Sequence, residues 1–439
     1  MGTEEFKNNY VREKVDIWTT DVKKLAEIAK EEPQAALSSF NMGLSRRWTF
    51  IQRTVKDIGP LFQPLEEAIR CQLIPAIIGR TVSDSERHLI ALPYRYGGLG
   101  IQIPTETADI EFSTSTEITE QLTQLIFDQE MDLSKLNNEQ LKATKARVYL
   151  EKEAALKEKS ARISETLPEG QRKSFETAQE KGASSWLSAL PIQSLGYALN
   201  KQEFRDAICL GYGWKVKNTP THCVCGAMNS VDHALVCKTG GYVSMRHNAL
   251  RDTEAMLMKE VAKDVQIEPG LLPVPAGALP IGANATDGAR LDVAARGIYR
   301  QNERTFFDVR VTHPNADYNK DKTLEEIYNH HEDEKKRKYN ERVIQIEKAS
   351  FVPLVFTTSG GLSPECNKFN KKLAQMIAKK RNETYANVVK HVRTRLRFAL
   401  LRSTLVALRG VRGGHIRAGG EDLQEVSFNL IPEGTSYEA

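Results

Sequence analysis

At 439 residues, 40% apolar and 27% charged, the chain has room for two or three domains, each with its own core. No apolar run approaches the roughly 20 residues that span a bilayer, and the opening MGTEEFKNNY is polar and acidic, so neither a membrane span nor a secretory leader is expected. The 61 basic and 57 acidic residues nearly cancel, which excludes a strongly polyanionic or polycationic chain as a whole. Six cysteines make no disulfide framework at this length; an intracellular, reducing setting is expected, where clustered Cys and His read first as metal ligands.

In chain order, residues 1–115 read as a helical body. Trp18, Val22, Leu25, Ile28 and Ala29 recur at helical spacing before Pro33 interrupts. RRWTFIQRTV and PLEEAIRCQLIPAIIG continue the pattern, and LPYRYGGLGIQIP (92–104) reads as a glycine-rich loop. Residues 116–183 are rich in Glu, Lys, Gln and Ala and read as an exposed, salt-bridged helical spacer. A second compact unit is expected from about Ser184, with 184–245 holding a helical segment and a Cys/His cluster.

Residues 246–413 form the next predicted unit. RHNALRDTEAMLMKEVAKDV (246–265) has an amphipathic helical pattern, and a Pro/Gly/Ala-rich loop follows. ARLDVAARG (289–297) and RTFFDVRVTHP (304–314) alternate in polarity around a polar turn, which is a hairpin pattern. A charged helix over 322–348 leads to a more buried strand at FVPLVFTTSGG (351–361), and two helices follow at 365–381 and 384–409. Residues 414–439 read as a disordered tail. The expected class is α+β, predominantly helical, with one small mixed sheet.

Four sets of residues could carry chemistry. Cys223, Cys225, His233 and Cys237 fall within fifteen residues as C-x-C-x7-H-x3-C. Three thiolates and an imidazole suit a closed tetrahedral zinc site; the alternative is unpaired cysteines near a buried histidine. In LDVAA and FFDVRV, Asp292 and Asp308 alternate with apolar neighbours. If these strands pair, both carboxylates can emerge on one side, where a divalent cation such as Mg2+ or Mn2+ would relieve their repulsion. Two solvent-facing acids on an edge hairpin are the competing reading.

Lys335 and Lys338, three apart in HHEDEKKRKYNERV, share a helix face with Tyr339 beside them. They could stabilise phosphate near that cation or be an ordinary solvated charge run. Between Thr384 and Gly420 there is no carboxylate, while Lys390, Arg393, Arg395, Arg397, Arg402, Arg409, Arg412 and Arg417 all occur. That makes HVRTRLRFALLRSTLVALRG a candidate for backbone-phosphate contact, with a plain surface helix as the alternative. Arg246, His247 and Arg251, on the helix beside the sheet, could also touch phosphate.

The order of these features resembles one family. A Cys/Cys/His/Cys knuckle, an Arg-His helix, an Asp strand, a D-V-x-V strand and a K-x-x-K-Y helix are similar to the C-terminal restriction-like endonuclease of non-LTR retrotransposon polyproteins, a PD-(D/E)xK-type nuclease. The likeness runs from about Ala183 to Gly413. It implies structural zinc on Cys223, Cys225, His233 and Cys237, a catalytic cation on Asp292 and Asp308, and supporting roles for Lys335 and Lys338. Residues 15–115, with GLSRRWTFIQRT and LPYRYGGLGI, resemble the thumb-side region that follows the polymerase palm in such reading frames. The chain departs from the family in four respects: ARLD lacks a proline before Asp292, the gap after His233 is short, the fifteen residues between the two aspartates are slightly more than the usual gap, and Arg310 stands where the motif has lysine. No Y-x-D-D core occurs, so polymerisation by this chain is not expected. The resemblance implies target-site nicking in the nucleus, with DNA and element RNA as partners and a reverse transcriptase acting in trans. A catalytically inactive nucleic-acid-binding module and a scaffold using the helical half are the alternatives.

Overall fold

The computed structural model describes residues 4–129, 137–275 and 277–410. Arg412, Arg417 and the segment 414–439 read as a tail lie outside the described residues. The protein is mostly helical with a small four-stranded mixed sheet, an α+β architecture. No described helix is long and apolar enough to cross a membrane. The chain divides into two units, one of residues 1–168 with 198–208, the other of 169–197 with 209–439.

Among its described residues the first unit holds helices and no strand. Long helices α1 (Glu4–Ala29) and α2 (Pro33–Met42) are followed by four short ones, α3 (Thr49–Thr54), α4 (Gln63–Ala68), α5 (Ile74–Ile78) and α6 (Asp84–Ala91). The apolar spacing of α1 buries Val11, Val15, Trp18, Val22 and Ala26, and Trp18 stacks on Phe62 with ring centroids 6.2 Å apart. Arg87 and Glu66 form a buried bidentate ion pair at 2.7 and 2.8 Å, and Arg87 also donates to the Ile101 and Gln102 carbonyls. That network explains the loop after α6: it folds back until a Cβ on Gly98 would lie 1.9 Å from the Leu92 carbonyl oxygen, a place only glycine can occupy.

Of the segment read as a spacer, α7 (Pro104–Phe127) and α8 (Asn138–Thr166) belong to this unit, while α9 (Glu169–Ala178) belongs to the second. α8 buries only Val148 and Ser160. Charges do much of its docking, through Lys152–Glu111 and Lys159–Glu106, each at 3.1 Å. α10 (Lys201–Tyr212) and α11 (Val231–Val236) precede the sheet-bearing part of the second unit.

There α12 (Tyr242–Lys259) leads into the sheet, β1 (Lys263–Ile267), β2 (Val293–Arg296), β3 (Arg304–Thr312) and β4 (Ser350–Thr357), in spatial order β1-β2-β3-β4. The expected β2–β3 hairpin is present, with Val293 opposite Phe307 and Arg296 opposite Arg304. β4 lies parallel to β3, joined through the crossover helix α13 (Leu324–Gln345). β1 corrects the helix read over 246–265: the helix stops at Lys259, and KDVQI pairs antiparallel with β2. Its mostly exposed edge-strand pattern carries no clear two-residue alternation, so periodicity could not reveal it.

Strand alternation sorts the core into two layers. Val293, Ala295, Phe307, Val309, Val352 and Leu354 pack with α12 and with α14 (Pro364–Arg381) and α15 (Tyr385–Arg409). On the opposite face Ala294, Phe306 and Phe351 meet Tyr339 and Val343 of α13. Fully buried Arg342 on α13 donates to the carbonyls of Leu272, Asn284 and Thr286, pinning the long loop before β2.

Candidate functional site

The Cys/His cluster is built by a tight loop and one short helix. Cys223 N–H donates to the Ala227 carbonyl and Gly226 N–H to that of Cys223, a turn that brings Cys223 and Cys225 to the same side. Gly226 makes it with φ of +89°. Ser230 caps α11 by accepting from His233 N–H, and Cys237 ends that helix. One donor atom from each of Cys223, Cys225, His233 and Cys237 lies within 4.8 Å of the others. Two edges are 3.9 Å, between the sulfurs of Cys223 and Cys237, and 3.3 Å, from Cys225 Sγ to His233 Nε2. Tetrahedral arms of about 2.3 Å to sulfur and 2.0 Å to nitrogen give edges of about 3.8 and 3.5 Å. The four residues can therefore hold a metal ion.

This cluster is tied to the sheet. Asp232, next to His233, meets His313 Nε2 at 2.8 Å, and His313 Nδ1 meets the Thr358 hydroxyl at 2.7 Å. His313 and Thr358 follow the ends of β3 and β4. Buried Arg246 donates to the Leu235 carbonyl at 2.9 Å, which joins α12 to α11. Burial pulls its guanidinium down to about 10. Arg246 is thus a strut rather than a phosphate contact.

Asp308 stands on β3, facing the α13 side with Phe306. Asp292 lies one residue before β2, beside the Val293–Phe307 pair. Its carboxylate is held at both oxygens: Oδ1 meets His247 Nε2 at 3.0 Å, and Oδ2 accepts from Val309 N–H at 2.6 Å. Asp308 is 5% exposed, and Lys335 Nζ lies 2.5 Å from its Oδ2 in an ion pair. Burial pushes the Asp308 carboxyl above its ordinary range; Lys335 opposes this and the Asp292 charge adds to it. The two aspartates and Lys335 therefore share one electrostatic site.

Lys338 does not join it. That residue is exposed, with its ammonium 5.1 Å from the Tyr339 ring centroid and that of Lys335 at 5.9 Å. His247, read from sequence as a phosphate contact, instead orients Asp292. Nothing in the spacing of RHNALRD showed this, because its partner lies 45 residues away. Arg251 is engaged as well, donating to Asp252 at 2.8 Å and pairing with Glu268.

The arginines of α15 require a correction. The helix is buried on most of its surface, and its guanidinium groups turn to the protein's own carbonyls. Arg397 Nε donates to Ala183 at 2.8 Å, Arg402 to Gly196 at 3.1 and 3.2 Å, and Arg395 reaches Leu195 at 3.5 Å. Arg393 is half-buried and lies 3.5 Å from Asn367. Burial pulls Arg397 down to about 10. Around the two short 3-10 turns of the segment 183–197, these arginines supply donors to the carbonyls of Ala183, Leu195 and Gly196. The expected outward phosphate-binding face is not what they make.

The chain matches no known family model, and a search of curated proteins found no match.

Proposed function

We propose that this chain is a divalent-metal-dependent DNA endonuclease of the restriction-like kind carried by non-LTR retrotransposons, with zinc in the Cys/His knuckle as a structural element. The observation that carries the reading is the buried Asp308, close enough to Asp292 to feel its charge and with Lys335 the ammonium paired to it. Like charges held together at a cost in burial are typical of functional rather than structural sites.

Asp292 and Asp308 would hold magnesium or manganese, hard cations that suit carboxylate oxygens. When bound, such an ion polarises a phosphate oxygen and lowers the pKa of a water. The chain's own part is positioning. His247 and the Val309 N–H fix the Asp292 carboxylate, and Lys335 neutralises Asp308 and offers positive charge where phosphate charge grows. This lysine comes from α13 rather than from two positions after Asp308, where Arg310 stands. The site therefore retains a lysine although the linear motif lacks one.

The partner would be DNA, acting in the nucleus, with element RNA and a reverse transcriptase in trans as companions. The alternative of a sequence-tolerant binding module loses support from the α15 arginines, which are spent on carbonyls. Nicking of supercoiled plasmid by purified protein is expected in magnesium or manganese and absent in EDTA or in the Asp292→Ala, Asp308→Ala double variant. Binding without nicking by the wild type would favour the module instead.

A further inference from the structure

One turn of α13 carries a group of ligand atoms that neither the knuckle nor the acid pair uses. His330 and Glu334 are four residues apart and His331 and Glu334 three apart, so all three side chains share a helix face. One donor atom from each lies within 4.8 Å of the other two. Among the described residues, this and the knuckle are the two groups of three or more His, Cys, Asp or Glu so arranged. We propose that His330, His331 and Glu334 form a second metal site, open to water, for a borderline dication such as zinc.

The distances fit. His331 Nδ1 is 3.4 Å from Glu334 Oε2, and a tetrahedral edge between nitrogen and oxygen ligands on arms of about 2.0–2.1 Å is about 3.3 Å. The other ring nitrogen, Nε2, lies 3.0 Å from the Thr312 hydroxyl oxygen on β3. A hydroxyl can accept as well as donate. His331 can therefore give its Nε2–H to Thr312 and turn the Nδ1 lone pair to a cation, as metal-bound histidines usually do with an outer acceptor. His331 is buried and held, whereas His330 is exposed and Glu334 half-exposed, so a metal can reach the open side. Two imidazoles and one carboxylate suit zinc, cobalt or nickel better than magnesium.

Two cationic groups oppose the cation. Arg310 and Lys335, both near enough to act on Glu334, repel a dication. The site should bind more weakly than the knuckle and exchange its metal readily. It stands whether or not the acid pair cleaves DNA.

Cobalt is the probe, because thiolate ligands give it an intense near-ultraviolet charge-transfer band that nitrogen and oxygen ligands do not. Protein with zinc already in the knuckle, in excess magnesium to occupy the acid pair, should bind one further cobalt. Only weak visible bands and no thiolate band should appear. His330→Ala and Glu334→Gln should each weaken that binding at least tenfold without changing the melting temperature. The proposal is overturned by no further cobalt, by a thiolate band alone, or by an equivalent that survives both variants and disappears in Asp308→Asn.

Discussion

The two aspartates at the β2–β3 hairpin and the arginines of α15 are both charged sets of the same unit, and they behave in opposite ways. Each arginine named on α15 has found a neutral oxygen or sulfur of its own chain, and the set is dispersed along the helix. The aspartates are drawn together, so that burial and mutual repulsion raise the buried one. Groups that each satisfy a local need are read as structural. Groups held against their electrostatic preference are read as a site. The knuckle is a third case: its donors face one another across a space that can hold a metal ion, and a metal bound there would be part of the local fold.

The largest effect should come from that third case. Chelating the knuckle metal, or Cys225→Ser, should cost on the order of 4 kcal/mol of stability, because metal binding there is folding free energy. The Asp232–His313 link should carry the damage towards the ends of β3 and β4. Calorimetry with and without chelator measures it; unchanged melting would remove the knuckle from the structural account.

A buried acid without any cation sharpens the contrast with Asp308. Glu254 on α12 is fully buried, accepts from Asn370 Nδ2 at 3.0 Å, and is pushed up to about 7 by burial. Its raised folded value means that its contribution is complete below the ordinary carboxylate range and is lost as pH rises through about 7. Glu254→Gln should therefore match wild type near pH 4 and exceed it above pH 7 by at most about 3 kcal/mol. A difference in stability that is constant with pH would show that Glu254 does not titrate there.

Next come the arginines. Arg397→Ala or Arg402→Ala should cost about 2 kcal/mol, the usual loss for a hydrogen bond to a charged group. The salt dependence of DNA binding should stay as in wild type. A slope reduced by about one per residue replaced would return them to phosphate contact and erase the comparison. Smallest of all, Lys338→Ala should change stability by less than about 1 kcal/mol, since it gives up only an exposed contact with Tyr339. Lys335→Ala should instead slow cleavage, because it strips Asp308 of its ion pair.

Much of this was legible in the chain. Alternation in FFDVRV predicted which way Asp308 faces, and C-x-C-x7-H-x3-C predicted the knuckle's convergence, because both depend on local geometry. The hairpin was readable from its turn and polarity. What stayed hidden depends on distant partners. A lack of acids between Thr384 and Gly420 looked like an unsatisfied basic surface, yet carbonyls of residues 183–196 satisfy several of those arginines. Periodicity reports the side a residue takes, not what its head group reaches. In the same way, the role of His247 emerged only once the fold brought Asp292 beside α12.

The central claim is that Asp308 is held in place for chemistry and not for stability. Asp308→Asn, measured for magnesium-dependent plasmid nicking and for thermal unfolding on the same preparation, tests it most directly. Removing the charge relieves burial and repulsion, and partly exposed Lys335 can turn to water. The account predicts that nicking falls by at least about a hundredfold, a barrier change of about 2.7 kcal/mol, while the melting temperature is equal to or above that of wild type. Wild-type nicking rates in the variant, or a melting temperature lowered by several degrees together with lost activity, would contradict it.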